Sequence, residues 1–328
     1  MITDGGLLAR LPDGSPLLQI IVDTEEEFDW DRPFDRRNVG VTAIDAQGSA
    51  QALYAPYGLR PTYVIDFPVA SSESAVAVLR AFQDTGQCLI GAHLHPWVNP
   101  PFDETVTDFN SYPGNLPADL EAAKLGVLTD TIHGAFGRRP TVYKAGRYGV
   151  GADTAAILGR LGYRIDLSVV PHTDFRPQFG PDFRGCPDRP FWVGDALLEI
   201  PLSRGFSGLA ASCGTRLQAL TMTPWAHRLR LGGLLARGGI LERATLTPEG
   251  VTFDEMARLV RSLLRRGHRL FTMTYHSPSL APGHTPYVRT ARDLSLFLDR
   301  IKQLLALFFE DLGAQPTTPE EVLAMARR

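Results

Sequence analysis

Residues 87–100 read QCLIGAHLHPWVNP, an apolar run that ends in two histidines and a proline. The run has the length and composition of a buried β-strand, and side chains two positions apart in a strand point to the same side. His93 and His95 would therefore converge on one point at the end of this strand. Neutral imidazole is a common ligand of zinc and similar ions, but a histidine pair without a third ligand is also typical of a hydrogen-bonded surface pair.

Apolar runs of strand length alternate with helix-period segments along the rest of the chain. Strands are predicted at LLQIIVD (17–23), RPTYVIDF (60–67), QCLIGAHLH (87–95), PTVYKAG (140–146), YRIDLSVV (163–170), ALLEIPLS (196–203) and HRLFTMTYH (268–276). Helices are predicted at 42–58, 71–86, 118–136, 151–162, 252–267 and 288–313. This repetition predicts an α/β fold with a parallel sheet, either open or closed into a barrel.

The alternation fails between residues 171 and 239, where prolines and glycines are frequent and ALLEIPLS is the single clear strand. We interpret this stretch as loop insertions on the substrate side. The alternation then resumes and ends in a helical C-terminal segment, 289–328. The sequence shows no internal repeat, and we expect residues 1–328 to form one domain.

Bulk composition sets limits on the function. The chain has 328 residues, 44% of them apolar, and a net charge of −3, which argues against a general nucleic-acid binder. Three cysteines without close pairing indicate reduced thiols rather than a disulfide framework. The N-terminal stretch does not resemble a cleavable signal, and no window is apolar enough to span a membrane, so we expect a cytoplasmic protein.

Polar residues follow several of the predicted strands. In parallel α/β proteins, binding and catalytic residues collect at the carboxyl ends of strands. The residues at or near such ends are Asp23, His93, His95, Arg147, Asp166 and His276, with Glu25 two positions after Asp23. A carboxylate, imidazoles and a guanidinium would thus lie at one rim.

Each of these residues also has an ordinary structural explanation. The acidic run DTEEEFDWD could be a solvated loop or a helix start, and Arg147 could pair with a surface carboxylate. Asp166 could be a polar residue of a half-exposed strand, and His276 a hydrogen-bonded histidine at the edge of the core. We assign no role to His133, His227 or His268.

The order of these residues resembles that of the polysaccharide deacetylases with the NodB-type fold, the carbohydrate esterase 4-like family. Within that family the sequence is most similar to the WalW-type branch of surface-polysaccharide loci. The resemblance extends from about Gln19 to Thr290 and rests on five short motifs in the same order. It implies a distorted (β/α) barrel of about seven parallel strands with loop insertions.

The resemblance also implies roles for individual residues. Asp23 matches the catalytic base, while Glu25, His93 and His95 match the metal ligands. The family's two histidines usually stand four residues apart, whereas His93 and His95 are two apart. Arg147 matches an arginine that orients the base.

Two further matches concern the catalytic acid. His276 matches the histidine that protonates the leaving amine, and Asp166 stands where the family has an aspartate that tunes this histidine. Backbone amides near Tyr148 could bind the oxyanion of the reaction.

These residue types permit metal-assisted hydrolysis of an amide bond. The resemblance implies a divalent metal ion, zinc first, with cobalt, manganese or nickel as alternatives, and an acetylated sugar or glycan as substrate. Aromatic loop residues could stack against a sugar ring or simply anchor the loops; they are Trp30, Trp97, Tyr148 and Trp192. Two alternatives remain: an amidase for non-sugar amides on the same fold, and a non-catalytic carbohydrate-binding or assembly protein.

Overall fold

The computed structural model describes residues 1–214, 217, 235 and 238–328. The strands are β1 (Leu7–Leu8), β2 (Leu17–Thr24), β3 (Thr62–Ile65), β4 (Leu89–Leu94), β5 (Val142–Ala145), β6 (Ile165–Asp166), β7 (Phe191–Val193), β8 (Leu197–Glu199), β9 (Arg204–Ser207), β10 (Glu242–Thr245), β11 (Leu270–His276) and β12 (Gln315–Pro316). The helices are α1 (Gln47–Tyr54), α2 (Phe67–Ser71), α3 (Glu73–Asp84), α4 (Ala118–Phe136), α5 (Thr154–Leu161), α6 (Phe253–Arg265), α7 (Ala291–Ala306) and α8 (Pro319–Met325).

Parallel pairing joins seven of these strands in the order β11, β2, β3, β4, β5, β6 and β8. This run confirms the predicted α/β fold and its parallel sheet. β7 pairs antiparallel with β8, β1 pairs antiparallel with β7, and the short β12 pairs with β2. The consecutive strands β2 to β6 are joined through helices, as the alternating sequence pattern predicts.

The sheet curls without completing a ladder between β8 and β11 among the described residues. The segment after β8 bridges this seam instead. The Ser203 hydroxyl accepts a hydrogen bond from the Thr272 amide, and the Ser203 carbonyl accepts one from the Leu246 amide, both at 2.8 Å. Leu246 in turn accepts one from the Thr274 amide at 3.2 Å. The barrel is therefore distorted at this seam.

The parallel strands bury both faces. Ile20 and Val22 belong to a large apolar cluster shared with the helices, whereas Ile21 between them belongs to a second cluster made mainly of strand residues. We call the side with this second cluster the inner face of the sheet. Val322 of α8 and Ala326 just after this helix join the same cluster. Alternation along each strand therefore decides which polar residues enter the interior of the barrel.

The predicted helices all have counterparts among α1 to α7, because their ends carry clear signals. Ser72 caps α3, and Thr252 and Thr290 begin α6 and α7 with capping boxes. The prediction for residues 171–239 was wrong in part, since β7 and β9 lie there besides β8. Residues 215–216, 218–234 and 236–237 of that stretch, with His227 among them, fall outside the described residues.

The C-terminal segment 289–328 is mainly helical, as predicted, with the short β12 between α7 and α8. None of the described helices combines the length and the apolar character of a membrane span. The assignment of residues 1–328 to one domain stays a prediction.

Candidate active site

A cavity of about 340 Å³ opens where the parallel strands end. Asp23 at the end of β2 and His276 at the end of β11 lie in register and both line it. His93 and His95 enter from β4, and Arg147 from the turn after β5. Glu25 completes the set, so the structure brings together six of the seven predicted site residues, and the seventh, Asp166, lies elsewhere.

Glu25, His93 and His95 form a compact group of three ligand atoms, all within 4.8 Å of one another. The Glu25 carboxylate oxygen Oε2 lies 3.5 Å from the Nε2 atom of each histidine. All three side chains are at most 3% exposed. The other oxygen of Glu25, Oε1, is buried and has no hydrogen-bond partner among the described residues. A buried carboxylate facing two imidazole nitrogens suits a divalent cation.

Hydrogen bonds to the Nδ1 atoms fix the orientation of the two imidazoles. His93 Nδ1 donates a hydrogen bond to the Lys144 carbonyl at 2.9 Å, and His95 Nδ1 donates one to Glu26 at 2.7 Å. These bonds leave the Nε2 atoms for a metal, which is the usual arrangement of metal-binding histidines. Glu26 is fixed in turn by the indole N–H of Trp97 at 2.7 Å. The short His-x-His spacing still brings the two imidazoles together, because both residues lie on the same side of an extended segment.

Burial shapes the protonation of this group. It lowers the pKa of His95 to about 4 and also lowers the pKa of His93, so both imidazoles are neutral at pH 7. Burial raises the pKa of Glu25 to about 7, because a carboxylate without water or a cation is destabilised. Two neutral imidazoles and a buried carboxylate that no lysine or arginine of the described residues pairs with are a donor set that suits a divalent ion. The residues therefore fit the predicted metal.

Asp23 is held by Lys144. The lysine ammonium lies 2.5 and 2.6 Å from the two carboxylate oxygens, and both side chains are almost fully buried. Burial alone would raise the pKa of Asp23, but the charge and hydrogen bonds of Lys144, together with His93 and His276, outweigh it and lower the pKa below its usual value. Arg147 was predicted to orient this base, and that partnership is wrong.

Arg147 instead lies along the cavity wall. Its guanidinium stacks over the ring of Tyr112 at 4.1 Å and that of Phe34 at 4.9 Å. It donates hydrogen bonds to the Ser111 hydroxyl and, at 3.4 Å, to the Asp108 carbonyl. The strand parity explains the difference, because Lys144 follows the inner-face residue Val142 by two positions and so points at Asp23.

His276 pairs with Glu249. Its Nδ1 lies 2.8 Å from the Glu249 carboxylate, which also accepts the His276 backbone amide at 3.0 Å. Its Nε2 points into the cavity toward Asp23, 3.8 Å from Oδ2. Burial alone would lower the pKa of His276, but Glu249 and Glu25 outweigh it and raise the pKa to about 10. The imidazolium is therefore the stable form at neutral pH.

Asp166 does not partner His276, which corrects the sequence prediction. Its neighbour Ile165 belongs to the inner-face cluster, so Asp166 points to the opposite, helix-covered side. There it accepts a 2.6 Å hydrogen bond from Ser168 and lies in register with Glu199, another buried acid. Burial raises the pKa of Asp166 despite these contacts.

Aromatic side chains form most of the remaining cavity wall. They are Phe28, Trp30, Phe34, Trp97, Tyr112, Tyr148, Phe175 and Tyr287. Trp192, also predicted as a sugar-stacking residue, lies instead in β7, with the guanidinium of Arg328 over its ring. A second, larger cavity of about 560 Å³ adjoins the first through Phe28 and Trp30.

Sequence reasoning missed three functional candidates: Lys144, Glu249 and Glu26. For Lys144 a signal existed, because a lysine two positions after an inward valine in a buried strand needs an acidic partner. Glu249 lies in the loop before α6, where no periodicity fixes the direction of a side chain. Glu26 stood within a run of acids that a solvated loop would also explain.

No protein-family model matches the chain, and no curated protein matches it. Among solved structures, it is similar to an allantoinase with a TM-score of 0.53 and 11% identity, over 94% of this chain and 89% of that chain. The chain shares the fold of that enzyme. It is also similar to a GH57 branching enzyme from Thermococcus kodakaraensis, with a TM-score of 0.52 and 12% identity over 94% and 71% of the two chains.

A family 4 acetyl xylan esterase from Clostridium thermocellum, solved with a cobalt ion, aligns with 94% of this chain and 90% of its own. Its TM-score is 0.43 and its identity 11%. The WalW-type branch stays a prediction.

Proposed function

We propose that the protein is a metal-dependent hydrolase that removes an acetyl group from an acetylated sugar or glycan by cleaving a C–N bond. One observation carries the proposal. Asp23 and His276 face each other across the cavity, each with its own buried counter-charge, directly beside Glu25, His93 and His95. A base, an acid and a metal-ligand group thus surround one space that a carbonyl could enter.

Glu25, His93 and His95 would hold the metal ion, and zinc is the first candidate because it accepts two imidazoles and a carboxylate. When bound, a divalent ion would acidify water and polarise an acyl carbonyl. Glu26 and the Lys144 carbonyl keep the imidazoles turned toward that position.

Asp23 would act as the base. The Lys144 ammonium keeps its carboxylate ionised and directed into the cavity, so it can accept a proton from water at neutral pH. A carboxylate stabilised in this way is a weak base, and it suffices only where the water has already been made acidic.

His276 would act as the acid. Glu249 stabilises the imidazolium, so the Nε2 proton is available for the nitrogen that leaves when the amide C–N bond breaks. The hydrogen bond to Nδ1 also fixes the ring orientation. Glu249 therefore takes the place that the sequence analysis gave to Asp166.

The aromatic cavity wall supports a sugar as substrate. Aromatic rings stack against the apolar faces of pyranose rings, and the cavity volume of about 340 Å³ is of the size that small ligands occupy. A small cyclic amide is the alternative substrate on the same fold. The adjoining 560 Å³ cavity supports the larger, glycan-like substrate.

Metal content and acetate release test the proposal together. We expect one equivalent of a divalent metal in the purified protein and its loss in His95→Ala, with full retention in the control His133→Ala, since His133 is exposed on α4. Asp23→Asn should retain the metal and release acetate from N-acetylated sugars at least about a hundredfold more slowly.

A protein that takes up no zinc, cobalt, manganese or nickel would contradict the proposal and favour a non-catalytic carbohydrate-binding role. Acetate release by Asp23→Asn at the parent rate would remove Asp23 from the mechanism. Hydrolysis of cyclic amides in place of acetylated sugars would identify the other substrate class.

A further inference from the structure

Arg147 is a cation of the cavity wall that has no assigned task. Its guanidinium makes no ion pair with any carboxylate of the described residues, and its hydrogen bonds go to a serine hydroxyl and a backbone carbonyl. The rings of Tyr112 and Phe34 hold it in place by stacking. Arginine in such a position presents free N–H groups to whatever enters the cavity.

The charges of the proposed acid and base are matched by partners of their own. Lys144 neutralises Asp23, and Glu249 neutralises His276, while the Glu25 carboxylate belongs to the proposed metal-ligand group. Because Lys144, rather than Arg147, pairs with Asp23, the positive charge of Arg147 has no carboxylate partner among the described residues. A guanidinium without a carboxylate partner attracts an anionic ligand.

The backbone at this position is strained, which indicates a function for the side chain. Arg147 has φ 53° and the following Tyr148 has φ 60°, two successive left-handed residues that are not glycine. Each such residue is unfavourable unless its surroundings impose it, and such residues cluster at functional sites. The strained turn projects Arg147 along the wall beside the histidines.

A second guanidinium lies close by. Arg204 is near enough to the Tyr148 phenol to interact with it electrostatically. Its buried Nε atom has no hydrogen-bond partner, and its guanidinium no ion pair, among residues 1–214, 217, 235 and 238–328. Arg204 adds positive charge near Tyr148, the residue that follows Arg147 in the chain.

We propose that Arg147 binds an oxyanion, a carboxylate or a phosphate, carried by the sugar that bears the acyl group. The inference rests on the proposed function in taking the ligand to be an acylated sugar. Arginine binds both groups through two parallel N–H donors, and such charge-assisted hydrogen bonds are stronger than neutral ones. Arg147 is then a specificity-determining residue, and the substrate is an acidic or phosphorylated sugar.

The test compares three sugars that differ only at C6: N-acetylglucosamine, its uronic acid and its 6-phosphate. Binding is measured by calorimetry on the full-length protein, with acetate release assayed in parallel. We expect one or both charged sugars to bind at least about tenfold more tightly than the neutral one. Preference for the uronic acid assigns a carboxylate, and preference for the 6-phosphate assigns a phosphate.

Variants of Arg147 test whether this side chain causes the preference for charged sugars. Arg147→Met should abolish the preference, Arg147→Lys should retain part of it, and Arg160→Met should retain all of it. Arg160 is the matched control because it is an exposed arginine on α5 that lines neither cavity. The lysine variant keeps the charge, so its partial retention separates loss of the cation from loss of folding.

Equal affinity for all three sugars, no binding of any of them, or a preference that survives Arg147→Met would overturn the proposal. Acetate release without charge preference rejects the oxyanion site and leaves the hydrolase intact. Charge preference lost in Arg147→Met, without acetate release from any sugar, supports the oxyanion site and rejects the hydrolase.

Discussion

Asp23 and Lys144 form an ion pair whose side chains are 4% and 0% exposed. Taking two charges out of water is unfavourable, and only their mutual attraction and hydrogen bonds offset it. Thr274 adds a further hydrogen bond to the ammonium at 3.2 Å. Neither charge is therefore tolerated without the other.

This coupling predicts the result of a double-mutant cycle. Lys144→Met should lower the free energy of unfolding by about 3–5 kcal/mol, because it leaves a buried carboxylate without a partner. Adding Asp23→Asn should restore part of that loss, so the two changes are not additive. Urea denaturation of the metal-free proteins measures the cycle, with the exposed Lys302→Met as control. Strictly additive effects would show that the two charges do not interact.

Glu121 carries a second residue-scale prediction. This carboxyl belongs to the first turn of α4, where it is buried and accepts a 2.6 Å hydrogen bond from Thr154, and its burial raises its pKa to about 7. The folded protein then retains a proton that the unfolded chain releases above about pH 4.5. Stability contributed by this group therefore falls as the pH rises from 4.5 through 7.

Glu121→Gln removes that dependence. Relative to the variant, the parent should lose about 3 kcal/mol of unfolding free energy between pH 4.5 and 8, at about 1.4 kcal/mol per pKa unit. Denaturant titrations of both proteins at several pH values measure the difference, with the exposed Glu73→Gln as reference. Parallel pH profiles of parent and Glu121→Gln would mean that Glu121 titrates normally.

Individual residues also show how far sequence reasoning extends. Position along a strand was sufficient to predict where Asp23, His93 and His276 lie. Each follows or ends an apolar run, which places it at the end of a buried strand. This reasoning failed for Asp166, since YRIDLSVV is buried on both faces and its pattern does not reveal which side faces the interior. One position then decides between the cavity and the helix layer.

At the scale of elements, the turn after β5 fits against the end of β4 only because residue 146 is a glycine. A Cβ atom on Gly146 would lie 2.4 Å from the His95 ring and 2.4 Å from the Leu94 carbonyl. Contacts of this length do not occur, so the backbone or the imidazole would have to move.

Gly146→Ala should therefore weaken metal binding at least about tenfold, because an oriented ligand is displaced. Gly159→Ala is the matched control. Gly159 lies within α5 with open space around it, and alanine there should stabilise the helix by about 0.5–1 kcal/mol. Competition with a chelator gives the metal affinity of each variant. Unchanged metal affinity in Gly146→Ala would mean that the backbone of the turn can shift without displacing His95.

Elements with strong end signals were predicted well, and short edge elements were not. α6 and α7 begin with capping boxes and carry an apolar face. β1, β7, β9, β10 and β12 have two to four residues each, which is too few for periodicity to identify. Pairing with neighbours distant in sequence, rather than local preference, determines these strands.

At the scale of the whole molecule, the C-terminal segment completes the core of the barrel. Val322 of α8 and Ala326 just after it share a cluster with inner-face residues of β2 and β5, among them Ile21 and Val142. This C-terminal segment thus closes the interior about three hundred residues after β2 in the sequence.

Val322→Asp should destabilise the entire fold by several kcal/mol, because it places an unpaired charge in an apolar cluster. Ala324→Asp, on the exposed side of the same helix, should change stability by less than about 0.5 kcal/mol. Thermal unfolding followed by circular dichroism compares the two. Equal melting temperatures would indicate that α8 detaches from the barrel at little cost.

The seam between β8 and β11 determines how the molecule opens. On that side, the amides of Thr272 and Thr274 are held by Ser203 and Leu246 rather than by a strand ladder. Local opening of the bridging segment would release these two amides to hydrogen exchange while the ladder between β2 and β11 stays intact. His276 ends the strand beside the seam, whereas Asp23 ends the one behind it. Slow fluctuations of the seam would thus displace the proposed acid His276 more than the proposed base Asp23. They would change the distance between the His276 Nε2 atom and the Asp23 carboxylate.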